Sequence, residues 1–326
     1  MKNRNAVVYV VAWVTIIAVA IIDFLWAKYI GLIIGAGWPY RYAGEMCTVF
    51  CFVIALICIA TLQRYRKLTH ALRCKEFASA IFCMITIIAW AQAMAITSYI
   101  GVGLNNVDIA DTLVRFDSAI GFDWLGVYHW VSSHHILRII FIYAYWSAFP
   151  QLILVPFFLA IVRELDNIIE FLVILFISSF VLLLIAIPFP AESAFLHFGI
   201  TDPGTVSSVQ DYVLLRSGAM PVINPYAVQG LVSMPSYHTM LAIFFAYSVR
   251  HVRFVFPAAV ILNVVMIAST ITVGGHYLAD VLAGIACGFA VIWAVRLGLQ
   301  RQFGKRGAAG YQAPSADAGG SSASAQ

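Results

Sequence analysis

The stretch 168-IIEFLVILFISSFVLLLIAIPF-189 holds a single ionisable side chain, Glu170. An α-helix rises about 1.5 Å per residue, so a run of this length crosses a hydrocarbon core of about 30 Å. Segments 6–30, 45–62, 77–100, 136–161, 236–250, 254–273 and 276–296 read the same way. The composition agrees: 62% of the 326 residues are hydrophobic and 10% are charged, where a soluble domain carries about 25% charged residues. These observations predict an all-α, polytopic membrane helix bundle of about eight spans and at least six. The first window is too long for a signal-peptide h-region and no small-residue cleavage site follows it, so it reads as a span. A net charge of +4 is no argument for nucleic acid, and no nucleic-acid partner is expected. The chain carries no internal repeat.

Two long polar and aromatic loops separate the spans. Segment 101–135 reads as an interfacial loop with an amphipathic helix, and 190–235 is rich in Gly, Pro, Ser and Asp. Residues 1–306 are expected to form the membrane domain, with a catalytic core at about 136–296. The Gly/Ala/Ser-rich residues 307–326 are expected to form a disordered cytoplasmic tail. None of the six cysteines forms a CxxC pair, and Cys47, Cys51, Cys58, Cys74, Cys83 and Cys287 read as small apolar packing residues.

Eight spans place both termini on one side. Of the 19 basic residues, all but Lys28, Arg41, Arg115, Arg138 and Arg216 then share that side. The positive-inside rule makes it cytoplasmic and turns both long loops outward. The compact chain with short cytoplasmic loops suits a bacterial inner membrane, with the active site on the periplasmic side.

Two motifs fall at that outer face. In 233-SMPSYHTMLAIFF-245 a proline and serines precede an apolar run, a helix-start signal with His238 in the first turn. Unpaired N–H groups at such a start favour an anion such as phosphate. In 269-STITVGGHYLADVLAG-284, Gly274 and Gly275 permit a tight turn, and His276 and Asp280 stand four residues apart, one turn apart on a helix face. A carboxylate there holds an imidazole in one tautomer and stabilises its protonated form. Span-end histidines are often merely interfacial, but two histidines and an aspartate at one depth ask for more. His, His and Asp are acceptable zinc ligands, yet no fourth ligand stands out, and no metal or cofactor is expected.

The paired motifs "PSYH" and "GGHYLADVLAG" resemble the type 2 phosphatidic acid phosphatase superfamily over roughly residues 210–290. Thr270, Gly274, His276, Tyr277 and Asp280 are similar to the second pattern of its inositol phosphorylceramide synthase branch. The resemblance implies a phosphohistidine mechanism. His276 would attack phosphorus, Asp280 would orient and charge-stabilise it, and His238 would protonate the departing oxygen and then activate the acceptor. Ser236, Gly275, Tyr277 and Arg216 are expected at the substrate. Tyr277 either bonds a phosphate oxygen or sits in an interfacial aromatic belt. Arg216, the only basic residue of the second loop, is either a phosphate clamp or a solvated rim residue.

The departures are informative. The chain has no Arg-Pro dipeptide, and Thr270 stands where superfamily phosphatases carry an arginine. A phosphomonoester brings up to two charges and a diester about one, so fewer cations suit a diester. The expected function is transfer of a phospho-headgroup between lipids, with an alcohol as acceptor. The alternative is a lipid phosphate or polyprenyl diphosphate phosphatase with water as acceptor. A transporter would show repeats and midplane charges, and neither is seen.

Other ionisable residues read as structural. His129, His134 and His135 lie with Trp124 and Trp130 on a membrane-surface helix, His197 stands alone in a loop, and His70 and His251 are cytoplasmic. Asp23 either pairs within the bundle, the reading preferred here, or helps bind a polar headgroup, and Asp117 and Asp123 resemble helix caps or turn residues.

Overall fold

A computed structural model describes residues 2–35, 38–62 and 73–309. The fold is an all-α helix bundle. The chain forms α1 (Lys2–Tyr29), β1 (Ile33–Ile34), α2 (Trp38–Thr61), α3 (Cys74–Gly103), α4 (Ala110–Ala119), α5 (Trp124–Ser133), α6 (His135–Trp146), α7 (Ala148–Ile161) and α8 (Leu165–Ala186). It continues with α9 (Ala194–His197), α10 (Val206–Arg216), β2 (Val222–Ile223), α11 (Tyr237–Ser248), α12 (Val255–Thr272) and α13 (Leu278–Ala309). The two short strands pair in parallel, Ile33 with Val222 and Ile34 with Ile223, tying the end of α1 to the loop before α11.

Among the described residues five helices are long and apolar enough to cross a membrane, and α6 with α7 makes a sixth span bent by 49°. The chain is an integral membrane protein on this count. The bend has a local cause. Pro150 sits in the first turn of α7 and has no N–H for the carbonyl of Trp146, and its ring crowds that carbonyl. The Ser147 hydroxyl turns back instead to the Ala144 carbonyl at 2.6 Å. The expected single span 136–161 is therefore two helices.

Two other expected spans differ. Segment 45–62 lies in α2, several of whose side chains are outside the described residues. Segment 236–250 yields only the 12 residues of α11, about 18 Å of helix against a core of about 30 Å. This helix packs against α12, α13, α7 and α8, and Met240, Ala242, Phe244 and Phe245 are 0–1% exposed. It is an interior helix, shielded by its neighbours, and has no need of full bilayer length. By contrast α1 exposes Val7, Val10, Val14, Ile17, Ile21 and Phe24, the face that lipid covers.

Two carboxylates inside the bundle have close partners. Glu170 of α8 receives Arg250 at 2.9 Å and the Tyr247 hydroxyl at 2.7 Å, and the guanidinium lies 3.8 Å from the Tyr247 ring centre. Asp23 accepts from the Thr97 hydroxyl at 2.9 and 3.0 Å. Cys83 is buried as expected of a packing residue, whereas Cys47, Cys51 and Cys58 are exposed; they belong to α2, whose flank faces outward. Helix α13 runs three residues into the expected tail, and residues 310–326, like His70, lie outside the described residues.

Both long loops carry helices. The first holds α4 and α5, the second α9 and α10. An apolar cluster of Leu113, Trp124, Ala194, Phe195 and Tyr277 joins α4, α5 and α9 to the start of α13. These loop segments are thus packed onto the end of the bundle that bears the histidines.

Candidate active site

Ser236 is the N-cap of α11, its hydroxyl accepting from the Thr239 N–H at 3.4 Å and the Thr239 hydroxyl at 3.0 Å. A serine oxygen here satisfies one of the orphan donors of a helix start. Pro235 stands before the cap, two places ahead of the first helical residue, and so outside the first turn. His238 follows in the first turn, half-buried, with its Nδ1 3.3 Å from the Tyr145 hydroxyl and its ring stacked on Tyr145 at 4.2 Å.

The second motif departs from its expected form. His276 does not lie on the helix: residues 274–277 form the approach to α13, which begins at Leu278. The carboxylate of Asp280 reaches back from the first turn. Its Oδ2 accepts the Tyr277 N–H at 3.1 Å and faces His276 Nδ1 at 3.3 Å. The first of these contacts is half of a capping box, a third-position acid bonding the cap residue's N–H. Asp280 therefore starts the helix and orients the imidazole with the same oxygen.

A second carboxylate completes the start of α13. Asp117, 2% exposed on α4, accepts the Leu278 N–H at 2.8 Å and the Ala279 N–H at 2.9 Å. The sequence suggests a cap at Asp117, but the helix it caps begins 161 residues later. Burial raises the Asp117 carboxyl above its usual range, while the two N–H bonds oppose that rise. Trp124 of α5 adds a bond from its indole N–H to the His276 carbonyl at 3.0 Å. Asp117→Ala is expected to lower thermal stability in detergent by about 1–2 kcal/mol through the lost cap, and to lower turnover by about 10²-fold through misplacement of His276. Asp117→Asn keeps one acceptor oxygen and should recover part of both; equal losses in the two variants would contradict a positioning role.

The two motifs meet. The Ser236 N–H donates to the Asp280 carbonyl at 3.0 Å, and each imidazole is within electrostatic reach of the other. Gly284 lets α13 close on the start of α11, since a Cβ there would sit 2.7 Å from the Ser236 carbonyl. Tyr145 bridges the site, because a Cβ on Gly274 would lie 2.8 Å from Tyr145 and 3.0 Å from His276.

Gly275 adopts a φ of +66° and its missing side chain would lie 2.4 Å from Phe195. Its carbonyl accepts from Ala194 at 2.8 Å. Gly275→Ala is expected to cost about 1–3 kcal/mol from strain and overpacking, seen as a lower thermal midpoint; an unchanged midpoint would mean that Phe195 yields freely.

The remaining expected residues divide. Tyr277 is 0% exposed, so it is no part of an interfacial belt, and its hydroxyl has no partner among the described residues. Arg216 donates to the Asn106 carbonyl at 2.6 Å and lies 5.9 Å from the Tyr212 ring centre. Among the described residues no lysine or arginine bonds His238, His276 or Asp280. His134 pairs with the Trp130 carbonyl at 2.7 Å on the exposed side of α5, away from the site. His197 is not isolated: its Nδ1 lies 3.3 Å from Glu192 and its ring meets Tyr277 edge-on at 6.2 Å. Among the described residues no three His, Cys, Asp or Glu side chains are grouped to hold a metal ion.

Tyr145 and Trp124 carry no motif. What could point to Tyr145 is a tyrosine beside the Ser147–Pro150 break in the middle of the bent span.

A membrane helix bundle with two histidines and a carboxylate brought together from separate helix starts defines a class of integral membrane proteins. The PAP2 superfamily model matches residues 111–294, more than half of the chain, and the chain belongs to that superfamily. The match includes α4 and α5, which the sequence motifs alone did not reach. Membership points to a lipid phosphatase or phosphotransferase kind of function. No curated protein and no solved structure matches the chain.

Proposed function

We propose that the protein is a membrane phosphotransferase that moves a phospho-headgroup from one lipid to another, in the manner of inositol phosphorylceramide synthase, through a phosphohistidine. The observation that carries this reading is the Asp280–His276 contact at 3.3 Å beside His238. With Nδ1–H directed at the carboxylate, the lone pair stands on His276 Nε2, the atom that attacks phosphorus. The P–O bond to the donor lipid breaks, and the departing oxygen takes the proton of His238. His238, now neutral, accepts the proton of the acceptor hydroxyl, whose oxygen attacks the phosphohistidine and releases His276. An anionic phosphate beside His238 is what favours its charged form in a half-buried place. The Tyr145 hydroxyl at 3.3 Å fixes the ring.

The preference for a diester rests on the cations. Arg216 is engaged with the Asn106 carbonyl, and no other arginine or lysine bonds the triad among the described residues. A singly charged diester needs fewer such groups than a monoester. The site residues, the placement of the chain in a bacterial inner membrane with cytoplasmic termini, and a catalytic core at about 136–296 are parts of the same proposal. Purified protein supplied with a phosphodiester lipid, a lipid alcohol and, separately, a phosphomonoester lipid separates the readings. Transfer of the phospho-headgroup to the alcohol is expected. Free phosphate from the monoester alone would replace this reading with a phosphatase.

A further inference from the structure

A phosphoryl group at His276 needs hydrogen-bond donors for its oxygens, and most of the nearby ones are already engaged. Thr270, 0% exposed, stands where superfamily phosphatases carry an arginine, and its hydroxyl donates back to the Ile267 carbonyl at 2.7 Å. Arg216 donates to the Asn106 carbonyl. Around His276 the N–H groups of Gly274 and His276 go to the Thr270 carbonyl at 3.0 and 3.2 Å, and that of Tyr277 goes to Asp280 at 3.1 Å.

Tyr145 stands between the two histidines. It lies in the last turn of α6, and α6 packs against α12, the helix that leads to Gly274. Its ring stacks on that of His238, with centres 4.2 Å apart and planes 20° apart, and its hydroxyl lies 3.3 Å from Nδ1. Its Cε2 edge adjoins Gly274. A Cβ built on that glycine would meet Tyr145 Cε2 at 2.8 Å and His276 Cδ2 at 3.0 Å. Cε2 is bonded to the carbon that bears the hydroxyl, and Cδ2 is bonded to Nε2, the nitrogen that attacks phosphorus. The hydroxyl-bearing edge of the phenol and the reacting edge of the His276 imidazole therefore flank one glycine. Among the described residues His238 Nδ1 is the one hydrogen-bond partner of the Tyr145 hydroxyl.

We infer that Tyr145 is a further catalytic residue, a neutral clamp whose O–H donates to a phosphoryl oxygen while its own oxygen accepts the Nδ1–H of His238. This inference rests on the phosphohistidine reading above. A hydroxyl donates and accepts at once, which an arginine cannot do. With Nδ1–H held by Tyr145, the proton that moves is the one on His238 Nε2. It passes to the departing oxygen as the P–O bond breaks and the P–N bond to His276 Nε2 forms. It is replaced from the acceptor hydroxyl as that P–N bond breaks. Tyr145 keeps its proton throughout, and the two hydrogen bonds through its oxygen polarise each other, so the charge of His238 is felt at the phosphoryl oxygen. A neutral donor suits the single charge of a diester and leaves the second charge of a monoester without a counterpart.

A nitrophenyl diester isolates this role, because its leaving group departs without the proton of His238. With full-length protein in nanodiscs, single-turnover nitrophenolate release is expected to fall about 10²-fold in Tyr145→Phe, the scale of one lost oxyanion donor. Phenylalanine keeps the ring that stacks on His238, so the loss reports the hydroxyl. A loss confined to a lipid diester, with the nitrophenyl diester unaffected, would show that Tyr145 acts only through His238 and would overturn the clamp. Vanadate, an oxyanion of phosphate shape, gives a readout without turnover. Its binding, measured by calorimetry, is expected to weaken about tenfold in Tyr145→Phe, and equal binding to both proteins would overturn the clamp. Wild-type protein that releases nitrophenolate but transfers nothing to a lipid alcohol sinks the transferase reading, and the Tyr145→Phe loss on the same diester then still upholds the clamp.

Discussion

Alanine at His276 is expected to lower turnover by ~10⁴-fold or more, the scale seen when a covalent nucleophile is removed. The fold should survive. Among the described residues the imidazole makes one hydrogen bond, to Asp280, while the backbone carbonyl that holds Trp124 is untouched by the change. Asp280 keeps its bond from the Tyr277 N–H and Asp117 keeps both of its bonds at the start of α13. The variant should therefore extract and elute like wild type. With a donor labelled in its headgroup phosphate, wild type should carry a label stable to base and released by acid, the behaviour of a phosphoramidate, and the variant should carry none. Near-normal turnover in folded His276→Ala protein, or a label on another residue, would remove the covalent mechanism.

The second large effect concerns His238. A positioned general acid contributes typically ~10²–10⁴-fold, and His238→Gln is expected to lose that much on a lipid diester, whose alkoxide is a poor leaving group. A nitrophenyl diester departs without a proton, so the same variant should be within about tenfold of wild type on it. His276→Ala should stay inactive on both. Equal losses of His238→Gln on the two substrates would show that His238 positions the phosphate and moves no proton.

Much of this site was legible in the sequence. The spacing of PSYH and GGHYLADVLAG announced two helix starts with titratable groups, and the resemblance attached chemistry to them. The superfamily match then covered both. What the sequence obscured was set by tertiary contacts. Asp117 reads as a local cap because its neighbours are polar, yet its partners Leu278 and Ala279 are distant in the chain. His197 reads as isolated because Glu192 and Tyr277 reach it through packing around Phe195. His276 reads as helical because a spacing of four fits a helix face; Asp280 makes the same contact by reaching back past the first turn. Helix α11 reads as a span because its apolar length does not distinguish burial in protein from burial in lipid.

The fastening of α4 to α13 has a consequence for anyone who would move this chemistry elsewhere. Asp117 supplies two of the bonds that start the helix behind His276, so the C-terminal helices do not form a transplantable cassette. A chimera carrying residues 236–298 on a foreign scaffold should be inert until the segment around Asp117 is grafted with it, and the two pieces will have to be exchanged together as one inherited unit.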